Sequence, residues 1–211
     1  MLFGGTGLYA NSLIYGIEYN NIEFDEKYRE YLEKIANTED GLKQLYNEAK
    51  KIDKEATEKI SKNDKKRIIR ILEIYHATAK NKTEQELESR RKENKYNYYV
   101  FALNIDRSIL YERINKRVDI MIEQGLIDEV KKLIKKYQEF PTAMQAIGYK
   151  EVVEYLNGET TKEEMIEKIK QETRHYAKRQ LTWFRKNKQT TWLDGTKPVE
   201  ENLKIIIELI G

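Results

Sequence analysis

The chain has 211 residues, 39% hydrophobic and 36% charged, with a net charge of only +3, enough for one large or two small domains with a real core. It contains no cysteine, which excludes disulfides, thiol nucleophiles and cysteine-based zinc sites. Its two histidines, His76 and His175, stand outside any metal-ligand spacing, no apolar run nears the ~20 residues of a membrane span, and no signal-peptide pattern is visible, so no protein-held metal, no membrane contact and a cytoplasmic location are expected.

The chain opens "MLFGGTGLYANSLIYG". Leu2 and Phe3 read as the stub of a strand, Gly4-Gly5-Thr6-Gly7 as a tight turn, and the rest as a helix start. Glycines let the backbone approach a ligand closely, and amides at a helix start attract anions. Thr6 adds a hydroxyl beside them. A bare strand-to-helix turn has the same pattern. The chain has no GxxxxGK[ST], so a complete phosphate-cradling loop is absent.

Residues 17–95 read as an all-helical, highly charged block inserted into an α/β core. "DEKYREYLEKI" (25–35) and "DGLKQLYNEAKKI" (40–52) place apolar residues at three- and four-residue steps. "NDKKRIIRILEIYHAT" begins with a capping pair and sets Ile68, Ile69, Leu72 and Ile74 on a helical face. Lys65, Lys66, Arg67 and Arg70 crowd its start.

Two stretches read as strands: "YNYYVFALNID" (96–106) and "QTTWLDG" (189–195). Leu2-Phe3 would make a third. That is a thin sheet for so many helices, and the missing strands are expected upstream of Met1.

Between the strands, "DRSILYERINKRVDIMIEQG" starts at an N-cap, Asp106, and stops at Gly125. Arg113 and Arg117, four residues apart, share one face. Two guanidiniums so placed can grip a diphosphate with paired hydrogen bonds, or they are solvated and bridged to Glu112 or Asp119. In "QAIGYKEVVEYL", Gly148 falls inside a helical pattern, where glycine costs ~1 kcal/mol relative to alanine. It therefore permits close approach of a ligand, hydrogen-bonded by Gln145 and Lys150, or of a second helix.

The stretch "EEMIEKIKQETRHYAKRQLTWFRKNK" has no breaker and reads as one long helix. Residues 168–188 hold eight basic side chains and one acid, Glu172. At 100° per residue, Lys170, Arg174, Lys178, Arg185 and Lys188 form a cationic stripe, and Met165, Ile169, Tyr176, Trp183 and Phe184 fall on another side. Such a stripe is the footprint expected for a phosphate backbone.

In order and spacing, "FGGTGLY", "DEKYRE", "KNDKKRIIRILEIY", "LYERINKRVDIMIEQGLIDEV", "AMQAIGYKEVVEYLNGE" and "TRHYAKRQLTWFRKN" closely resemble the tRNA dimethylallyltransferase (tRNA isopentenyltransferase) family over nearly the whole chain. The resemblance implies transfer of a dimethylallyl group from its diphosphate to the exocyclic amine of the adenosine 3′ to the anticodon. It implies Mg2+ as cofactor, the anticodon stem-loop and dimethylallyl diphosphate as partners, and action as a monomer. The implied fold is α/β and mostly helical: a partial P-loop-type parallel-sheet core, here 1–16 and 96–211, with an inserted helical tRNA-binding domain, 17–95. The target base would be flipped out to meet the donor.

Carried onto this sequence, the family's pattern makes Thr6 the catalytic threonine near the bridging oxygen. Gly4, Gly5, Arg113 and Arg117 would bind the donor diphosphate. Arg29, Lys66, Arg67, Arg70, Gln145, Gly148, Tyr149, Lys150, Lys178, Arg179, Gln180, Thr182, Trp183 and Arg185 would contact tRNA. The family's phosphate-binding loop and proposed base, an aspartate, precede the Gly-Gly-Thr turn. A chain beginning at that turn is expected to show little or no transfer alone. The alternatives are a non-catalytic RNA-binding helical module, which has no need of Thr6 or the arginine pair, and another P-loop nucleotide enzyme, which has no need of the cationic helix.

Overall fold

The computed structural model describes residues 1–16, 25–90, 96–137 and 143–211. The expected limits of the helical insert, residues 17 and 95, lie outside them. The chain divides into two compact units, Met1–Tyr98 and Tyr99–Gly211.

The first unit is helical: α1 (Gly7–Ile14), α2 (Glu26–Ile35), α3 (Glu39–Ile52), α4 (Lys54–Glu58), α5 (Lys65–Thr78) and α6 (Lys82–Arg90). Short polar side chains start four of these helices by accepting from amides left without a helical partner. Asp25 takes the amides of Lys27 and Tyr28, Thr38 that of Gly41, Asp53 that of Ala56 and Asp64 that of Arg67. The apolar faces of α2, α3 and α5 meet in a core of Leu32, Leu45, Ala49, Ile68, Ile71 and Leu72. Gly41 permits the tight turn between α2 and α3, because a Cβ there would lie 2.1 Å from the Ile35 carbonyl oxygen.

The second unit runs β1 (Val100–Asn104), α7 (Arg107–Glu123), α8 (Leu126–Lys136), a 3-10 turn (Ala143–Gln145), α9 (Tyr149–Leu156), α10 (Lys162–Lys186), β2 (Thr190–Asp194) and α11 (Val199–Ile210). The two strands pair in parallel, Val100 opposite Thr190 and Asn104 opposite Asp194. Thr161 and Glu164 form a reciprocal capping box at the start of α10. Val118, Leu126, Val130, Val152, Met165 and Ile169 make the core beneath α7–α10. The Asn202 side-chain amide donates to the Asp194 carbonyl at 2.8 Å, pinning α11 to the end of β2.

Two sequence expectations are corrected. Leu2 and Phe3 form no strand and are 75% and 90% exposed. A strand needs a neighbour for its amides and carbonyls, and among the described residues none lies beside them. Gly148 is not inside a helix: the chain turns after Gln145, and Gly148 precedes α9 with φ +97. A Cβ there would meet only the Leu126 side chain at an ordinary 3.7 Å, so the backbone conformation, not a close approach, calls for glycine.

Candidate functional site

In the first unit, Thr6 caps α1 with an extended backbone, and its carbonyl accepts from Tyr9 and Ala10 at 3.1 and 3.2 Å. Its hydroxyl makes no capping bond. Gly4 is exposed, Gly5 half-buried. Thr6 thus offers a hydroxyl at a helix start without using it for the helix.

The basic face of this unit lies on α2 and α5. The Arg29 guanidinium grips both oxygens of Glu73, at 2.5 and 3.1 Å, and this bonding raises its pKa further above its ordinary value. Arg70 stands 3.9 Å from the same carboxylate. Lys66 and Arg67 lie one turn earlier, and Arg67 pairs with Asp64 at 2.9 Å. The open depression along α3 gathers two acids, Asp40 and Glu48, and two lysines, Lys43 and Lys51, so it concentrates no charge.

In the second unit, β1 ends where α7 begins. The Asp106 carboxylate accepts from the Ser108 hydroxyl and amide at 2.5 and 2.8 Å, and these bonds hold it below its ordinary range. Asp106 itself lines a crevice of about 350 Å³ together with Asn104, Arg107, Tyr111, Lys178 and Arg185, among others. Arg107 lies over the Tyr111 ring at 5.0 Å and Arg185 over Trp192 at 6.0 Å. Among the described residues, no carboxylate pairs with Arg107, Lys178 or Arg185. A cationic crevice at the carboxyl end of a parallel strand is where α/β folds receive ligands.

The cationic stripe of α10 divides. Lys170 has a side chain only 14% exposed, bonded to Asp119 at 2.8 Å and Glu167 at 3.4 Å. Arg174 donates to the Asn115 side-chain oxygen at 2.6 Å and lies over Tyr111 at 5.9 Å. Both hold α10 to α7, so the expected five-residue phosphate footprint shrinks to Lys178, Arg185 and Lys188. The physical reason is helix packing: α7 covers this part of α10, and half-buried cations there need partners. The apolar side is likewise shorter than expected. Met165 and Ile169 are buried, Trp183 and Phe184 meet edge to face at 4.8 Å, and Tyr176 is 38% exposed beneath Arg179. The Thr182 hydroxyl donates to the Lys178 carbonyl at 2.8 Å, and Gln180 lies on the turn between them.

Arg113 and Arg117 share one face of α7. Neither pairs with an acid among the described residues, and Asp119, one of their expected bridges, is held by Lys170. Gln145 ends the 3-10 turn. The Gly148 amide donates to Glu151 at 2.7 Å, and the Tyr149 hydroxyl bonds Glu129, which raises the tyrosine's pKa. Lys150 stands 3.8 Å from Glu154. Thr6, Gly4 and Gly5 belong to the first unit, the arginine pair to the second.

Sequence reasoning missed Arg107, Tyr111 and Asn104. Their signal was position: a cation directly after an N-cap at the end of a strand. It also missed Glu73, a charged residue at a core position between Leu72 and Ile74.

The IPP transferase family model matches residues 1–187. A tRNA dimethylallyltransferase of Acetivibrio thermocellus is 44% identical over 99% of this chain and 68% of its own length. One of Thermoanaerobacter sp. is 46% identical over the whole of this chain and 68% of its own length. Among solved structures, the full-length tRNA isopentenylpyrophosphate transferase of Bacillus halodurans is similar at TM-score 0.60 and 40% identity, over 97% of this chain and 63% of that one. A eukaryotic dimethylallyltransferase acting on tRNA is similar at TM-score 0.62 and 28% identity, over 90% of this chain and 50% of that one. The chain therefore spans about two thirds of the bacterial relatives it matches, and it belongs to the IPP transferase family.

Proposed function

We propose that this chain serves tRNA modification: it holds an anticodon stem-loop and the diphosphate end of a dimethylallyl donor for transfer to the adenosine 3′ to the anticodon. The carrying observation is the second unit's crevice, where three cations, Arg107, Lys178 and Arg185, line the end of β1 with one carboxylate, Asp106, which is bonded to Ser108. A binder of neutral ligands has no use for three cations against one carboxylate, whereas that excess attracts phosphates.

In the transfer, the adenosine N6 attacks the first carbon of the dimethylallyl group, the carbon–oxygen bond to diphosphate breaks, and the amine loses a proton. Negative charge grows on the departing oxygen. Arg113 and Arg117, four residues apart and without acidic partners among the described residues, suit neutralising it. Thr6 would donate its hydroxyl near the bridging oxygen. Mg2+ is proposed to accompany the diphosphate. The ion would be held chiefly by the diphosphate oxygens and water, and no step is assigned to it. Lys178, Arg179, Gln180, Thr182, Trp183 and Arg185 would meet RNA along α10, with Gln145, Gly148, Tyr149 and Lys150 beside α9. Lys66, Arg67, Arg70 and Arg29 would meet it on the first unit.

The test is binding of the chain to an anticodon stem-loop with adenosine at the target position, against the same stem with a scrambled loop, at low and moderate salt. The expected result is loop-specific affinity that persists as salt rises. Equal loss of both complexes would leave only nonspecific attraction and reject the tRNA assignment.

A further inference from the structure

We propose that Tyr28, Tyr31 and His76 form a stacking platform for an unpaired RNA base on the helical unit, separate from its phosphate contacts. The inference rests on reading this chain as an RNA-binding protein.

The Tyr28 and His76 rings stack between α2 and α5, with centroids 3.9 Å apart and planes 18° from parallel. Tyr28 is half-buried and packs against the core of the unit, which fixes the inner ring of the stack. Tyr31, one turn further along α2, lies 6.4 Å from Tyr28 at 25°. The two outer rings stay open. Tyr31 is 58% exposed, and the His76 side chain is 48% exposed with one face already against Tyr28. Exposed helix positions call for no aromatic residue, because such side chains lose rotamer freedom in a helix and leave apolar surface in water. A nucleobase has a broad planar face and gains by covering such rings, and Tyr and His are among the side chains on which unstacked RNA bases rest. The charges around the platform favour a base over a phosphate. Asp25 stands 3.9 Å from His76 Nε2. Burial, and after it the Glu48 carboxylate, raises the pKa of the Tyr28 hydroxyl, so a second acid faces the stack. A neutral base tolerates these acids, whereas they repel a phosphodiester. The phosphates are left to cations at the start of α5, Lys66 and Arg67.

The test measures stem-loop affinity together with its salt dependence, because stacking and ion pairing separate there. It is run at alkaline pH, where imidazoles carry no charge. Tyr31→Ala and His76→Ala are expected to weaken binding roughly five- to hundredfold, the effect of removing one base stack. The slope of log affinity against log salt should stay at the parental value, since no phosphate contact is lost. Tyr31→Phe and His76→Phe keep a ring and are expected to bind as the parent does. With 2-aminopurine placed at each loop position in turn, one position should be quenched on binding to the parent and the phenylalanine variants and not to the alanine variants. An effect at one ring alone assigns the base to that ring. If both alanine variants fold and bind as tightly as the parent, the rings only pack α2 on α5 and the proposal is overturned. Weaker binding with a shallower slope, or a loss that phenylalanine does not restore, also overturns it, because a charge or a hydrogen bond then carries the contact. If His76→Ala fails to fold, Tyr31→Ala decides by the same criteria. A parent that binds true and scrambled loops alike, with both weakened by the alanine variants, loses the tRNA assignment and keeps the platform. A parent that binds neither RNA loses both.

Discussion

Arg113 and Arg117 present adjacent charges on α7, with no ion pair among the described residues to neutralise either. Replacing Arg117 with alanine removes charge-assisted hydrogen bonds worth ~1.5–3 kcal/mol each. Binding of dimethylallyl diphosphate, followed by calorimetry, should weaken by at least about tenfold, with Tm unchanged because the side chain holds no acidic partner among the described residues. Asp53 supports the fold instead. Burial pushes its carboxyl up, but the amides of Ala56 and Thr83 and the Thr83 hydroxyl outweigh burial and hold it below the ordinary 3.8. A depressed native pKa contributes stability that is complete above the unfolded value and lost as pH falls through the native one. Asp53→Asn should therefore cost ~1–3 kcal/mol at neutral pH, and the gap in Tm should close as pH falls below about 4. Such partnerships across the fold are poorly legible in sequence. Lys170 and Lys178 look equivalent on a helical wheel, and only the path of α7 decides that the first is paired with Asp119 and the second lines the crevice.

At the scale of elements, α10 divides by function along its length. Its first half packs on α7 through Lys170 and Arg174, and its second half carries Lys178 and Arg185, with Lys188 just beyond its end. Lys178→Ala and Arg185→Ala should each reduce the salt slope of stem-loop binding by about 0.7–0.9. Lys170→Ala should lower Tm and leave the slope alone. Gly148 tests backbone geometry: at φ +97, alanine should cost ~1–3 kcal/mol, read as a lower Tm, although there is space for its Cβ. The long helices were legible because periodicity and caps agreed, as at Asp64 and Asp106, while the caps at Asp25 and Thr161 emerge only in the structure. Leu2-Phe3 forms no strand because, among the described residues, no neighbour pairs with its amides and carbonyls. Gly148 was misread because a short helix preceded by a turn imitates one longer helix with a glycine inside.

At the scale of the whole molecule, each unit carries its own basic helix surface: α2 and α5 in the first, the second half of α10 in the second. Family membership was legible because six ordered segments span nearly the whole chain, and the family model covers residues 1–187. The small parallel sheet was also legible, since aromatic and β-branched runs mark β1 and β2. The crevice was not, because it joins a strand end, the helix start that follows it and a helix much later in the chain. Both basic surfaces are assigned to one ligand, an anticodon stem-loop, and that assignment is best tested by photo-crosslinking. A stem-loop carrying a photoreactive uridine would be crosslinked to the chain and the adducts mapped by peptide mass spectrometry, with a scrambled loop as control. The expected result is loop-dependent adducts in peptides containing Lys178–Arg185 and Lys66–Arg70. Adducts elsewhere, or equal yields from both RNAs, would contradict it.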